Sequence, residues 1–101
     1  MNKIFLSLVL TFYLVGCTSK GTINNYIDCI TVASEYGTYE DVKNTERKLG
    51  TYMESKINLI NNYDLQQMFS DSKYYYYNHP LVAIVKYHAS PTCREAYKAE
   101  D

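Results

Sequence analysis

Apolar side chains between residues 23 and 60 recur every three or four positions, and that periodicity restricts this part of the chain to helices. Ile23, Tyr26, Ile27, Ile30, Ala33 and Gly37 fall on one face of a first helix, with Asp28 and Glu35 off it. Cys29 stands one turn from both Tyr26 and Ala33, on the edge of the apolar stripe. Gly37 is suited to terminate this helix. Thr38-Tyr39-Glu40-Asp41 then reads as an N-cap with acidic residues in the following turn, where they complement the helix dipole. Val42, Leu49, Met53, Ile57 and Ile60 continue along one face of a second helix, with Tyr52 beside them. Lys43, Arg47 and Lys48 lie mainly on the other side, among Glu40, Glu46 and Glu54. Glu40, Lys43 and Arg47 are spaced for pairing along the helix, worth a few tenths of a kcal/mol per pair. Gly50 costs about 1 kcal/mol relative to alanine in a helix, so it marks either a close helix–helix contact or a tolerated defect. Asn61-Asn62 is expected to end the element.

Leu65, Met68, Phe69 and Ser72 predict a third, shorter helix that starts near Asp64 and extends through Tyr75 and Tyr76. The segment 74–87 has two readings. Its aromatic and β-branched content suits a hairpin, with Tyr74 to Tyr77 and Leu81 to Tyr87 as strands around Asn78-His79-Pro80. Alternatively His79 precedes a helix with Pro80 at its first position, burying Leu81, Ile84, Val85 and His88. Its helical surroundings favour the second reading. Ser90-Pro91-Thr92-Cys93-Arg94-Glu95-Ala96-Tyr97 reads as cap, proline and a short terminal helix.

The N-terminus has a different character. Lys3 supplies a positive charge, Ile4 to Tyr13 form an apolar run, and Leu14-Val15-Gly16-Cys17 follows. This is the layout of a secretory signal, and the run is too short to span a bilayer, which takes about 20 apolar residues. Leu14 to Cys17 resembles the lipobox of bacterial lipoproteins, with Val15 a tolerated variant. The resemblance covers about the first 18 residues. It implies that residues 1–16 are a signal peptide cleaved after Gly16, that the Cys17 thiol carries a diacylglyceryl group, and that the new amino terminus is acylated. Several acyl chains, at about 0.8 kcal/mol per buried CH₂, anchor a protein stably. Thr18 rather than Asp after the cysteine implies sorting to the outer membrane where there are two membranes, on its periplasmic or surface side. Residues 17–22 then form the lipidated cysteine and a short polar tether, and 23–101 a single small domain. A tether this short, under about 20 Å at 3.3–3.6 Å per residue, keeps that domain close to the bilayer.

Cleavage leaves 85 of the 101 residues, with nine basic and eleven acidic side chains and a net charge of −2. That near balance argues against a nucleic-acid partner and leaves no polybasic patch to assist a lipid anchor. With Cys17 lipidated, Cys29 and Cys93 remain, and an even pair in an exported domain reads as a disulfide. A loop of about 64 residues makes such a bridge worth roughly 4 kcal/mol in the chain-entropy model, a large share for a domain this small. The competing reading is a reactive thiol at Cys93 with His88 nearby, and no motif accompanies it. The expected fold is therefore all-α, a small bundle of three to five helices stapled by one disulfide, with an α+β domain carrying a hairpin at about 74–87 as the alternative.

Motifs for chemistry are scarce. His79 and His88 lack the further ligands a zinc-type site requires, so neither a metal nor another cofactor is expected. No phosphate-cradling glycine loop, nucleophile elbow or His-Glu-x-x-His occurs. Asp64 and Asp71 are spaced to share a helix face, as solvated polar residues commonly do. The compositional signal is tyrosine: eleven of the twelve lie after Cys17, and tryptophan is absent. Tyrosine combines a large apolar face with a polar tip and is enriched at interfaces. Tyr74, Tyr75, Tyr76 and Tyr77 cannot all face a core, so they are the candidate binding patch, for a protein, peptidoglycan or glycan. The function expected is a non-enzymatic protein-interaction module on the cell envelope, of the inhibitor or immunity type, an accessory subunit or a surface-exclusion factor. A small envelope hydrolase or a peptidoglycan-binding protein is the alternative.

Overall fold

The computed structural model describes residues 21–54 and 61–99, and among these the chain is helical throughout, with no strand. The first helix, α1, covers 21–36. It is followed by α2 (Tyr39–Glu54), α3 (Asn62–Tyr77), α4 (Pro80–Ala89) and α5 (Pro91–Ala96). The all-α reading holds and the hairpin is excluded: 74–77 end α3, while Leu81 to Tyr87 lie inside α4. Gly21 and Thr22, read as tether, already belong to α1. Cys17 and the signal segment lie outside the described residues, as do Ile57 and Ile60.

Local chemistry accounts for the helix ends. Thr38 and Asp41 form a reciprocal cap, in which the Thr38 backbone N–H donates to Asp41 Oδ2 (3.3 Å) and the Asp41 N–H donates to Thr38 Oγ1 (3.2 Å). Asn61 opens α3, its side chain accepting from the Asp64 N–H at 2.8 Å. That residue was expected to stop the preceding helix. The amide is equally good at satisfying the free N–H groups of a helix start, and here it does that. Pro80 and Pro91 occupy first-turn positions, where a missing N–H costs nothing. Ser90 serves two helices: its N–H closes α4 on Lys86 O, and its hydroxyl accepts from the Cys93 N–H.

Two apolar clusters share Val42. One gathers Ile23, Ile27, Ile30 and Leu49, with Leu65, Met68 and Phe69 of α3 packed against it. The other surrounds the disulfide and includes Val32, Ala33, Tyr76, Ala83, Tyr87 and Tyr97. The stripe anticipated on α1 is thus buried, and Cys29 at its edge is bonded to Cys93, with Cα atoms 5.2 Å apart. The bond leaves no thiol for the reactive-cysteine reading. It ties the middle of α1 to the shortest helix, which has little packing surface of its own.

Polar contacts complete the attachment of α5. The last carbonyls of a helix lack partners within it, and α2 supplies them from one face. Asn44 Nδ2 donates to Tyr97 O at 2.9 Å, and Lys48 Nζ reaches Glu95 O, Ala96 O and Lys98 O at 2.9, 3.1 and 2.7 Å. The ammonium also sits where the helix dipole is negative. Tyr97, buried below, donates its hydroxyl to Cys29 O at 2.7 Å. Gly50 meets open space rather than a neighbouring helix, so of its two readings the tolerated defect is correct.

Candidate interaction surface

Successive residues of a helix are about 100° apart, so the four tyrosines ending α3 cannot act as one patch. Tyr76 points inward and is only 9% exposed. Burial, reinforced by the neighbouring Asp28 carboxylate, pushes its hydroxyl well above the ordinary tyrosine range. Beside it, the Ser72 hydroxyl lies 2.8 Å from both Asp28 Oδ1 and Thr31 Oγ1 and shares its proton between them, which joins α3 to α1. Tyr75 is exposed but held, stacked on the His79 ring at 4.4 Å and meeting Tyr76 edge-on at 5.0 Å. His79 in turn contacts Tyr75 O through Nδ1 at 2.7 Å, a structural task at the α3–α4 corner.

Tyr74 and Tyr77, one turn apart, face the same way. They line a groove of about 630 Å³ together with Tyr36 from the end of α1 and Pro80 from the start of α4. The candidate patch therefore divides: Tyr74 and Tyr77 stand at this groove, Tyr75 on the opposite side of α3, and Tyr76 in the core. Glu35 and Lys73 also line the groove. Neither makes an ion pair or hydrogen bond among the described residues. Tyr36 and Glu35 were not singled out from the sequence, since nothing local shows that residues some 40 positions before the tyrosines return to their side.

A second depression, of about 640 Å³, lies along α1 and α3 and holds Asp28, Asp64 and Asp71. Its residues are engaged in part with one another: Gln67 Nε2 donates to Asp71 Oδ1 at 2.9 Å. Among the described residues no three His, Cys, Asp or Glu side chains are grouped to hold a metal ion.

The largest departure from expectation is α4. Its helical state was anticipated, but the face turned inward was not. Ala83 and Tyr87 are buried, whereas Leu81, Ile84, Val85 and His88 point outward, Leu81 being 78% and Val85 61% exposed. The reason is steric and polar together. Ala83 is small enough for close approach to the disulfide cluster, and Tyr87 places its ring on Gly37 and its hydroxyl on Asp41 Oδ2. A Leu or Ile in the same place would leave that carboxylate without this donor.

Comparison with known proteins adds no relative: no family model matches the chain, nor does any curated protein or solved structure. Among the described residues no helix is long and apolar enough to cross a membrane.

Proposed function

We propose that the chain is a bacterial envelope lipoprotein, lipidated at Cys17, whose helical domain is a non-enzymatic interaction module that holds an envelope protein partner in the tyrosine-lined groove. The observation that carries this reading is the pairing of Tyr74 and Tyr77 with Tyr36 over a groove whose two charged residues, Glu35 and Lys73, have no side-chain partner among the described residues. Aromatic side chains with apolar faces and polar tips are the usual anchors of protein interfaces. A carboxylate and an ammonium awaiting partners favour a segment that carries both signs of charge beside an apolar or proline residue. An inhibitor or immunity-type role, acting on a protein at the same membrane, uses such a surface directly.

Crosslinking in intact membranes followed by co-purification tests the reading. Substitutions Tyr74→Ser and Tyr77→Ser together are expected to abolish capture of the partner while leaving helix content unchanged, since both side chains are exposed. Retention of the same partner at unchanged yield refutes the groove. The anchor is tested separately by Cys17→Ala, which is expected to release the protein or leave it unlipidated. Unchanged membrane retention refutes the anchor. Capture of peptidoglycan fragments instead of a protein replaces the partner with a glycan.

A further inference from the structure

Among the described residues the outward stripe of α4 has no counterpart. Leu81, Ile84 and Val85 repeat at the spacing of a buried helix face, with Val82 on its flank, yet all are exposed. Large aliphatic side chains left in water forgo about 25 cal/mol for each Å² of apolar surface that a partner would cover. A contiguous group of them marks a contact surface. We propose that this stripe seats in the headgroup–acyl boundary of an anionic bilayer, the same membrane that holds the lipid on Cys17. The domain would then touch the membrane at two points. This proposal rests on the lipoprotein reading.

Chain length argues for the bilayer as occupant. Cys17 lies four residues before Gly21, where α1 is already helical, so the anchor point is within about 14 Å of that end of the helix. The sixteen described residues of α1 extend about 24 Å, and α4 packs at the far end, with Tyr87 on Gly37. With α1 lying along the surface, the lipid holds one end and α4 meets the bilayer at the other.

Charge argues the same way. No carboxylate occurs in α4, whose last turn carries Lys86 and His88. Arg94 of α5 lies beside it, its guanidinium donating to Tyr87 O at 3.2 Å. Glu95 is engaged by Lys98 at 2.9 Å. Within α4 itself the one formal charge, Lys86, is basic and complements anionic headgroups. An apolar helix face bordered by basic residues is the general form of an interfacial helix. A second copy fits less well. Stable dimers engage about 20–30 residues a side, and pairing two α4 stripes would bring like charges together.

The absence of tryptophan provides a clean test. Leu81→Trp and Val85→Trp, with Glu46→Trp at an exposed position in the middle of α2 as control, are made in the full chain. The lipidated products are reconstituted into phosphatidylethanolamine–phosphatidylglycerol vesicles with ordinary or brominated acyl chains. Blue-shifted emission that brominated chains quench at positions 81 and 85, with neither the shift nor the quenching at position 46, is the expected result. Emission at 81 and 85 as water-exposed as at 46 overturns the proposal. So does a blue shift without bromine quenching, which assigns the stripe to a protein contact. Flotation with the vesicles reads the anchor independently: a chain that floats but keeps its reporters in water loses only the α4 contact, whereas one that fails to float overturns both readings.

Discussion

Gly37 and Tyr87 touch so closely that a β-carbon at Gly37 would lie 2.5 Å from Tyr87 Cε1. This contact sets α4 against the junction of α1 and α2, and the Tyr87 hydroxyl secures it by donating to Asp41, the residue that also caps α2. The glycine is there for proximity: its φ is not positive.

Gly37→Ala should therefore destabilise the fold by about 1–3 kcal/mol, the usual cost of forcing an extra carbon into a packed site. Gly50→Ala should do the opposite. A methyl there meets nothing within 4 Å, and alanine is the better helix former by about 1 kcal/mol. Urea denaturation of the two variants checks both signs; equal shifts in one direction contradict the geometry.

Reduction of Cys29–Cys93 should lower stability by roughly 4 kcal/mol, given the 64-residue separation. Without the bond, α5 is still held by its contacts to α4 and α2 and by the Tyr97 hydrogen bond to Cys29 O. Intact-mass analysis without reductant is expected to find the domain two hydrogens lighter than the dithiol, and thermal unfolding with and without reductant measures the contribution.

Lys48→Met removes the ammonium that binds three carbonyls at the end of α5 while keeping the apolar stem. A loss of about 1 kcal/mol is expected, within the range for hydrogen bonds to a charged group after allowance for solvent screening. Amide exchange should accelerate at residues 94–98 before it does in α1. Uniform acceleration would show that Lys48 does not act on α5 in particular.

The domain should lose stability in alkali. Burial, aided by Asp41, raises the Tyr97 hydroxyl; the hydrogen bond to Asp41, then burial, raises Tyr87; and Tyr76 is raised mainly by burial. A group whose folded pKa exceeds its unfolded value of 10.0 stabilises fully below that pH, and the contribution is lost as pH climbs through the folded value. Far-UV circular dichroism followed with tyrosinate absorbance should show two tyrosines, Tyr76 and Tyr97, ionising only as helix is lost. Their ionisation with the helices intact would contradict the burial.

Much of the fold was legible because helices are specified locally. The α1 stripe, the Thr38–Asp41 cap, and the Ser90-Pro91 start of α5 each declare themselves within a few residues. Pairing of Cys29 with Cys93 followed from counting cysteines once Cys17 was assigned to lipid. The tyrosine patch was only half legible. One helical turn decides that Tyr76 is core and that Tyr74 and Tyr77 look the same way, but Tyr36 joins them only because α1 packs beside α3.

The sequence by itself determined where the helices run, how they begin and which cysteines meet, because periodicity, capping and oxidation state are properties of short segments or simple counts. Only the tertiary structure decided which face of α4 is inside. On hydrophobicity alone Leu81, Ile84 and Val85 should be buried. The choice fell to Ala83 and Tyr87, because packing against Gly37 and the disulfide needs a small side chain and a ring whose hydroxyl can reach Asp41. Shape and a hydrogen-bond partner across the fold outweighed the apolar stripe, which stays exposed.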